Sequence, residues 1–271
     1  MEEKYTINDI RNHSSFKVKT FSGFKKSQVI NAVMKSIETK KIEQACHWTT
    51  ECILSGYANT LLEKIINFAS KVVHINNPLL PEYILKKKVV FQNQVKRLEK
   101  SKENYILLRN SQMVRNLFFD IVTTLCSSIK TKRYDKYTKI DIEEDFKYEN
   151  MKKRICSEMN ILPDHIIKFN DPDDIKIIIN EIFTMCKNKQ FGYERSCFWI
   201  LWLIKWEKQH KKKEIPWTID YRDIKEVHEK YRCNIIWVIW IVVLEEANNR
   251  SEEIKCQIKA LYTLFTDEYT H

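Results

Sequence analysis

From Ser27 onward, apolar side chains recur along the chain at helical intervals. Val29, Val33 and Ile37 stand at i, i+4, i+8, and Ala45, Trp48 and Cys52 at i, i+3, i+7. Such intervals gather side chains on one face of an α-helix. Ser55-Gly56 closes the second of these helices, with glycine free to take the left-handed position after a helix end. Thr60-x-x-Glu63 reads as a capping box for a third helix, whose apolar face is Leu62, Ile65, Ile66, Ala69, Val72 and Val73. Asn77-Pro78 and Pro81 interrupt the chain. A heptad-like stripe of Ile84, Phe91, Val95, Leu98 and Tyr105 then predicts one long helix, followed by another through Met113, Leu117, Ile121 and Leu125. Residues 1–22 show no periodicity and read as a loose arm.

The second half follows the same grammar. Residues 130–140 are polar and charged and mark the boundary between two lobes, near residue 135. Asp141-x-x-Glu144 starts a helix. Asp171-Pro172 predicts an N-cap followed by proline in the first turn, opening a helix through Ile175, Ile178, Ile179 and Ile182. Trp199, Trp202, Leu203 and Trp206 fall at i, i+3, i+4, i+7 and read as a core face, the alternative being a platform for stacked bases. Ile219–Tyr231 and Cys233–Ala247 are expected to be helical, and a last helix runs from Ser251 through Ile254, Ile258, Leu261 and Leu264. Ile235–Leu244 is rich enough in Ile, Val and Trp to form a buried strand. No comparable second strand accompanies it, so helix is the better reading.

Composition supports an all-α fold. The chain of 271 residues holds only three Gly and five Pro, too few for the turns of a β-sandwich or barrel. The scarcity also excludes both Gly-rich phosphate loops, G-x-x-x-x-G-K-[ST] and G-x-G-x-x-G, since the glycines are the widely separated Gly23, Gly56 and Gly192.

Charge is unevenly distributed. Residues 1–135 carry 23 Lys+Arg against 12 Asp+Glu, a net +11, whereas residues 136–271 carry 23 against 24, a net −1. The expected organisation is therefore an arm (1–22), a basic helical lobe (23–135) and a neutral, Trp-rich helical lobe (136–271). Within the basic lobe, Lys86, Lys87, Lys88, Lys96, Arg97, Lys100, Lys102 and Arg109 cluster around the predicted long helix, off its apolar stripe. They are the candidate nucleic-acid-binding residues, because a one-sided basic surface is the footprint of a polyanion partner. The competing reading is a solvated face that keeps the protein soluble.

Other chemistries find little support. Cys46, His47, Cys52 and His74 lack the paired C-x₂₋₄-C spacing of a zinc site, and no cofactor, metal or catalytic residue is expected. Asp and Glu clusters at helix starts, such as Glu143-Glu144-Asp145, complement the helix dipole. Eight scattered cysteines, an acidic and polar opening Met1-Glu2-Glu3-Lys4, and no apolar run approaching about 20 residues point to reduced thiols, no membrane span and an intracellular protein.

One segment carries a family resemblance. Lys35-Ser36, Ala45-Cys46-x-Trp48, Ser55-Gly56, Leu61, Phe68-Ala69-Ser70 and Asn77-Pro78-x-Leu80 resemble the helical region behind the ATPase module of the RarA/MgsA replication-associated recombination ATPases. In that family the region belongs to a clamp-loader-like collar that holds subunits together. The match covers residues 27–80. Where the family has an acidic run with glycine after Ala-Ser, this chain has Lys71-Val72-Val73-His74, and ATP hydrolysis is not implied. What the resemblance implies is a non-enzymatic accessory factor of DNA replication or recombination, binding nucleic acid or replication proteins, with self-association as a further expectation. The Lys-, Ile- and Asn-rich composition is similar to that of proteins of AT-rich large DNA viruses, which would place the chain in host cytoplasm or virion. The alternative is a structural or assembly component with no nucleic-acid role.

Overall fold

The computed structural model describes residues 6–99, 101, 103–131, 139–188, 192–211 and 218–270. The described residues form twelve α-helices with short 3-10 turns and no strand, so the chain is all-α. It divides into two compact units, Met1–Arg133 and Tyr134–His271.

In the first unit, α1 (Lys26–Glu38) presents Val29, Ile30, Val33 and Ile37 inward, and α2 (Ile42–Leu54) presents Ala45, Thr49, Cys52 and Ile53. The small residues on α2 let neighbouring backbones approach closely. Trp48 does not share that face. It is half-buried at its edge, packed edge-to-face on Phe24 with ring centroids 5.4 Å apart. The single face that the spacing of Ala45, Trp48 and Cys52 predicts is thus corrected for Trp48: an indole is too large for a seam lined by Ala45, Thr49 and Cys52.

Both helices end in the same motif. After α2, Gly56 N–H donates to Ile53 O and Tyr57 N–H to Cys52 O, both at 2.9 Å, with Gly56 at φ +76°. After α1, Lys40 N–H donates to Ile37 O and Lys41 N–H to Ser36 O, with Lys40 at φ 59°. These are Schellman closures, in which the left-handed residue satisfies carbonyls that the helix leaves open.

Helix α3 (Ala58–Val72) begins two residues before the Thr60 capping box that the sequence suggests, directly after the Gly56 turn. Helix α4 (Leu80–Leu98) takes Pro81 in its first turn. The predicted long helix through Tyr105 breaks after Leu98, and α5 (Asn104–Asn110) is a separate, short element. At the centre lies α6 (Gln112–Ser127), which buries Val114, Leu117, Phe118, Ile121, Val122 and Leu125. Its expected first contact, Met113, faces solvent instead. Lys130 closes the C-terminal end of α6, its Nζ donating to Leu125 O, Cys126 O and Ser128 O at 2.8–3.0 Å, and burial lowers its pKa.

The described part of the N-terminal arm, residues 6–22, is not loose. Phe16 is buried, and the Tyr57 hydroxyl donates to Phe16 O. Ser22 N–H and Oγ both donate to the buried Glu51 carboxylate at 2.7 and 2.8 Å. These long-range anchors have no local sequence period.

The second unit contains α7 (Ile142–Asp145), α8 (Tyr148–Arg154), α9 (Asp173–Lys187), α10 (Gly192–His210), α11 (Ile236–Asn248) and α12 (Glu252–Thr266). Its core is Ile175, Ile178, Ile179 and Ile182 of α9 against Trp199, Trp202 and Leu203 of α10 and Val238, Ile239 and Val242 of α11. The Trp stripe is therefore core, as its spacing predicts, and Ile235–Leu244 is almost entirely helical. Trp202 Nε1 donates to Asp145 O at 2.8 Å, tying α7 to α10. Two expectations are corrected. Ile219–Tyr231 is irregular apart from a 3-10 turn at Glu229–Tyr231, and is pinned by buried Ile219 and Val227. Asp171 does not cap α9, which begins at Asp173 after Pro172. Its carboxylate is committed instead to the buried Arg222 guanidinium. Of the expected boundary segment, residues 132–138 lie outside the described residues.

Candidate nucleic-acid interface

Four of the basic residues nominated from sequence, Lys86, Lys87, Lys88 and Arg109, are paired with other groups or at least half-buried. Lys86 faces Glu82 at 3.9 Å. Lys87 is ion-paired to Asp120 of α6, which raises the lysine's pKa, and lies 5.2 Å over the Tyr83 ring. Lys88 is half-buried. Lys96 and Arg97 are exposed at the end of α4. Lys100 and Lys102 lie outside the described residues.

Arg109 is a correction. It is 1% exposed, and each of the three guanidinium nitrogens donates a hydrogen bond within the fold. Nε donates to Leu54 O at the end of α2, Nη1 to Arg11 O, and Nη2 to Asp9 Oδ1 at 2.9 Å. Its plane lies 4.1 Å over Phe16. An arginine that satisfies a helix C-terminal carbonyl and a carboxylate at once is structural glue, and its burial keeps it from a phosphate. Sequence spacing alone could not show this, because its partners lie about 55 to 100 residues away.

The structure assembles a different basic surface. Helices α1 and α3 leave a groove of about 850 Å³ between them, with the arm forming one end. Five lysines line it: Lys19 from the arm, Lys25 and Lys26 from the start of α1, and Lys64 and Lys71 from α3. No Asp or Glu lines it. The floor is apolar, made by Ile30, Met34 and Phe68 with the exposed Val18 at its rim, and Asn31, Asn67, Ser27 and Thr60 supply polar groups along the walls.

Each wall is a helical stripe. Ser27, Ile30, Asn31 and Met34 stand at i, i+3, i+4, i+7 on α1, and Thr60, Lys64, Asn67, Phe68 and Lys71 at i, i+4, i+7, i+8, i+11 on α3. Lys26 Nζ bridges the walls, donating to Thr60 Oγ1 at 3.3 Å and lying 4.6 Å over the Tyr57 ring. Two features of α1 sharpen the positive potential. Its first turn contains no acidic residue, and Lys25 and Lys26 add charge to the positive end of the helix dipole. This placement is unfavourable for an isolated helix and favourable toward an anion. The groove was missed from sequence because Lys26 and Lys64 belong to different helices and carry no shared motif.

All eight cysteines are free, and burial drives Cys52 up to about 12 and raises Cys46 and Cys186. Among the described residues, no three His, Cys, Asp or Glu side chains converge as metal ligands, and no helix is long and apolar enough to cross a membrane. No family model, no curated protein and no solved structure matches the chain.

Proposed function

We propose that the first unit binds nucleic acid through its phosphates, in the lysine-lined groove between α1 and α3, and that the chain serves as a non-enzymatic accessory factor of DNA replication or recombination. The observation that carries the binding reading is the convergence of five lysines on one groove without a lining carboxylate. Exposed lysines at a concave surface attract a polyanion and keep their charge solvated until it arrives. The replication setting is supported by the resemblance of residues 27–80 to the RarA/MgsA collar region. Binding by lysine point charges, with no base-directed arginine fork, gives affinity without sequence preference.

The experiment is a titration of labelled duplex DNA at several salt concentrations, with the wild-type chain, Lys64→Ala/Lys71→Ala and Lys96→Ala/Arg97→Ala. Loss of two phosphate contacts lowers the magnitude of the salt slope by about 1.8. That decrease belongs to the groove variant. A decrease confined to the α4 variant moves the site to α4, and a wild-type chain that binds no DNA at low salt overturns the reading.

A second reading, an interaction or assembly protein, is favoured by one feature of the second unit. Phe169 is 96% and Met159 73% exposed, beside a cavity of about 750 Å³. Isolated exposed apolar residues are ordinary, whereas large ones grouped at a cavity suit a protein contact. Sedimentation at rising concentration distinguishes this case, because self-association would appear without any polyanion.

A further inference from the structure

We infer that the α1/α3 groove takes a single strand rather than a duplex, seating unpaired bases on its apolar floor while its lysines hold the flanking phosphates. The inference rests on the nucleic-acid reading above and goes beyond it to the form of the ligand. It comes from the match between three kinds of groove surface and three kinds of ligand surface.

The first surface is charge. Lys64 and Lys71 lie two helical turns apart on one wall, Lys25 and Lys26 lie opposite at the start of α1, and Lys19 stands at the end. A strand running along the groove meets cations on both sides. The second surface is apolar: Ile30 and Phe68 are buried at the floor, Met34 is half-buried and Val18 is exposed above it. A duplex presents phosphates outward and keeps its base faces stacked inside, so it would ride on the lysines and leave this floor uncovered. An unpaired base has two apolar faces to lay on it. The third surface is the pair of exposed amides, Asn31 and Asn67, one on each wall. A carboxamide carries both donor and acceptor and suits the polar edge of a base. An acidic amphipathic peptide would use the lysines and the floor but would have no comparable need for the amides. The volume of about 850 Å³ falls within the roughly 300–1,000 Å³ of sites that enclose small organic groups, which suits a few bases and not a duplex.

The test uses the full chain with three fluorescein-labelled probes: oligothymidylate, a mixed-sequence duplex and oligoglutamate. The variants are Asn31→Ala/Asn67→Ala and Lys64→Ala/Lys71→Ala, all at exposed positions where folding is not at risk. The expected result is tighter binding of oligothymidylate than of duplex. The asparagine variant should lose about fivefold in single-strand affinity per amide with its salt slope unchanged, because an amide releases no counterion. The lysine variant should lower the single-strand slope by about 1.4. Equal binding of single strand and duplex, with no effect of the asparagine variant, overturns this inference and leaves phosphate binding intact. Binding of oligoglutamate but of neither nucleic acid overturns both.

Discussion

Asp9 Oδ1 accepts a hydrogen bond of 2.9 Å from the guanidinium of Arg109, a residue 100 positions further along the chain. Through this pair the N-terminal arm is fastened to the end of α2 and to α5. The same arm carries Val18 and Lys19 into the groove, so a structural clamp sets one boundary of the binding surface.

Replacing Arg109 with Ala should cost about 2–4 kcal/mol, because it leaves Leu54 O and Arg11 O without their charged donor, while Asp9 keeps its ion pair with Arg11. Arg109→Lys should recover only part of this, since an ammonium cannot reproduce the planar fork. Urea denaturation followed by circular dichroism measures both. An unchanged midpoint for the alanine variant would show that the clamp contributes nothing.

Asp9 also sets an acid limit. The Arg11 side chain, with help from Arg109, holds the Asp9 carboxyl at about 2 against its ordinary 3.8. Above 3.8 the group is ionised in both folded and unfolded chains, and its contribution to stability is complete. As pH falls from there toward about 2, the unfolded chain takes up the proton first and the contribution is lost. Asp9→Asn should therefore flatten the acid limb of the stability profile in that window and leave its shape above pH 5 unaltered.

Two left-handed positions give opposite expectations. Lys40 holds φ 59° without the freedom of glycine, so Lys40→Gly should stabilise the chain by about 0.5–1 kcal/mol. Gly56→Ala should destabilise it, because φ is +76° and the new Cβ would collide with the Tyr105 ring. If the two substitutions shifted the melting temperature in the same direction, the helix ends would be misassigned.

In the second unit, Asp171 and Arg222 form a buried pair. Asp171 also accepts from Lys168 N–H at 2.7 Å and Asp220 N–H at 2.9 Å. Asp171→Ala leaves the buried Arg222 cation without its counter-charge and two amides without an acceptor, and should cost about 3–5 kcal/mol. Asp171→Asn keeps an acceptor and should cost less. Equal losses for the two variants would mean that the retained acceptor contributes nothing and that the charge accounts for the whole effect.

Trp48→Ala should cost about 1–2 kcal/mol, below the range for a fully buried aromatic, since the indole is half-buried and its ring contacts are the edge-on ones with Phe24 and His47. A loss as large as that of Trp199→Ala would contradict the half-buried position.

The hydrophobic period by itself determined most of the helical segments and, for most of those, which face is buried, but it failed at Ile219–Tyr231, which is irregular apart from one 3-10 turn. Ile175, Ile178, Ile179 and Ile182 had to meet a core, and three glycines left few ways to build anything but helices. Gly56 marked the end of α2 because few other residues enter that conformation cheaply. The period could not determine which cations are available. Lys87 looks as free as Lys96 along the chain, but Asp120 of α6 claims it; Arg109 looks like a surface charge, but Leu54 O, Arg11 O and Asp9 enclose it. Asp171 shows the same limit, with a local capping signal overridden by Arg222, 51 residues away. Only tertiary packing brings Lys26 of α1 beside Thr60 and Lys64 of α3. Burial of apolar groups follows from local spacing because water drives it non-directionally, whereas the fate of a charge depends on which particular partner arrives within a few ångströms, and that is settled by the fold.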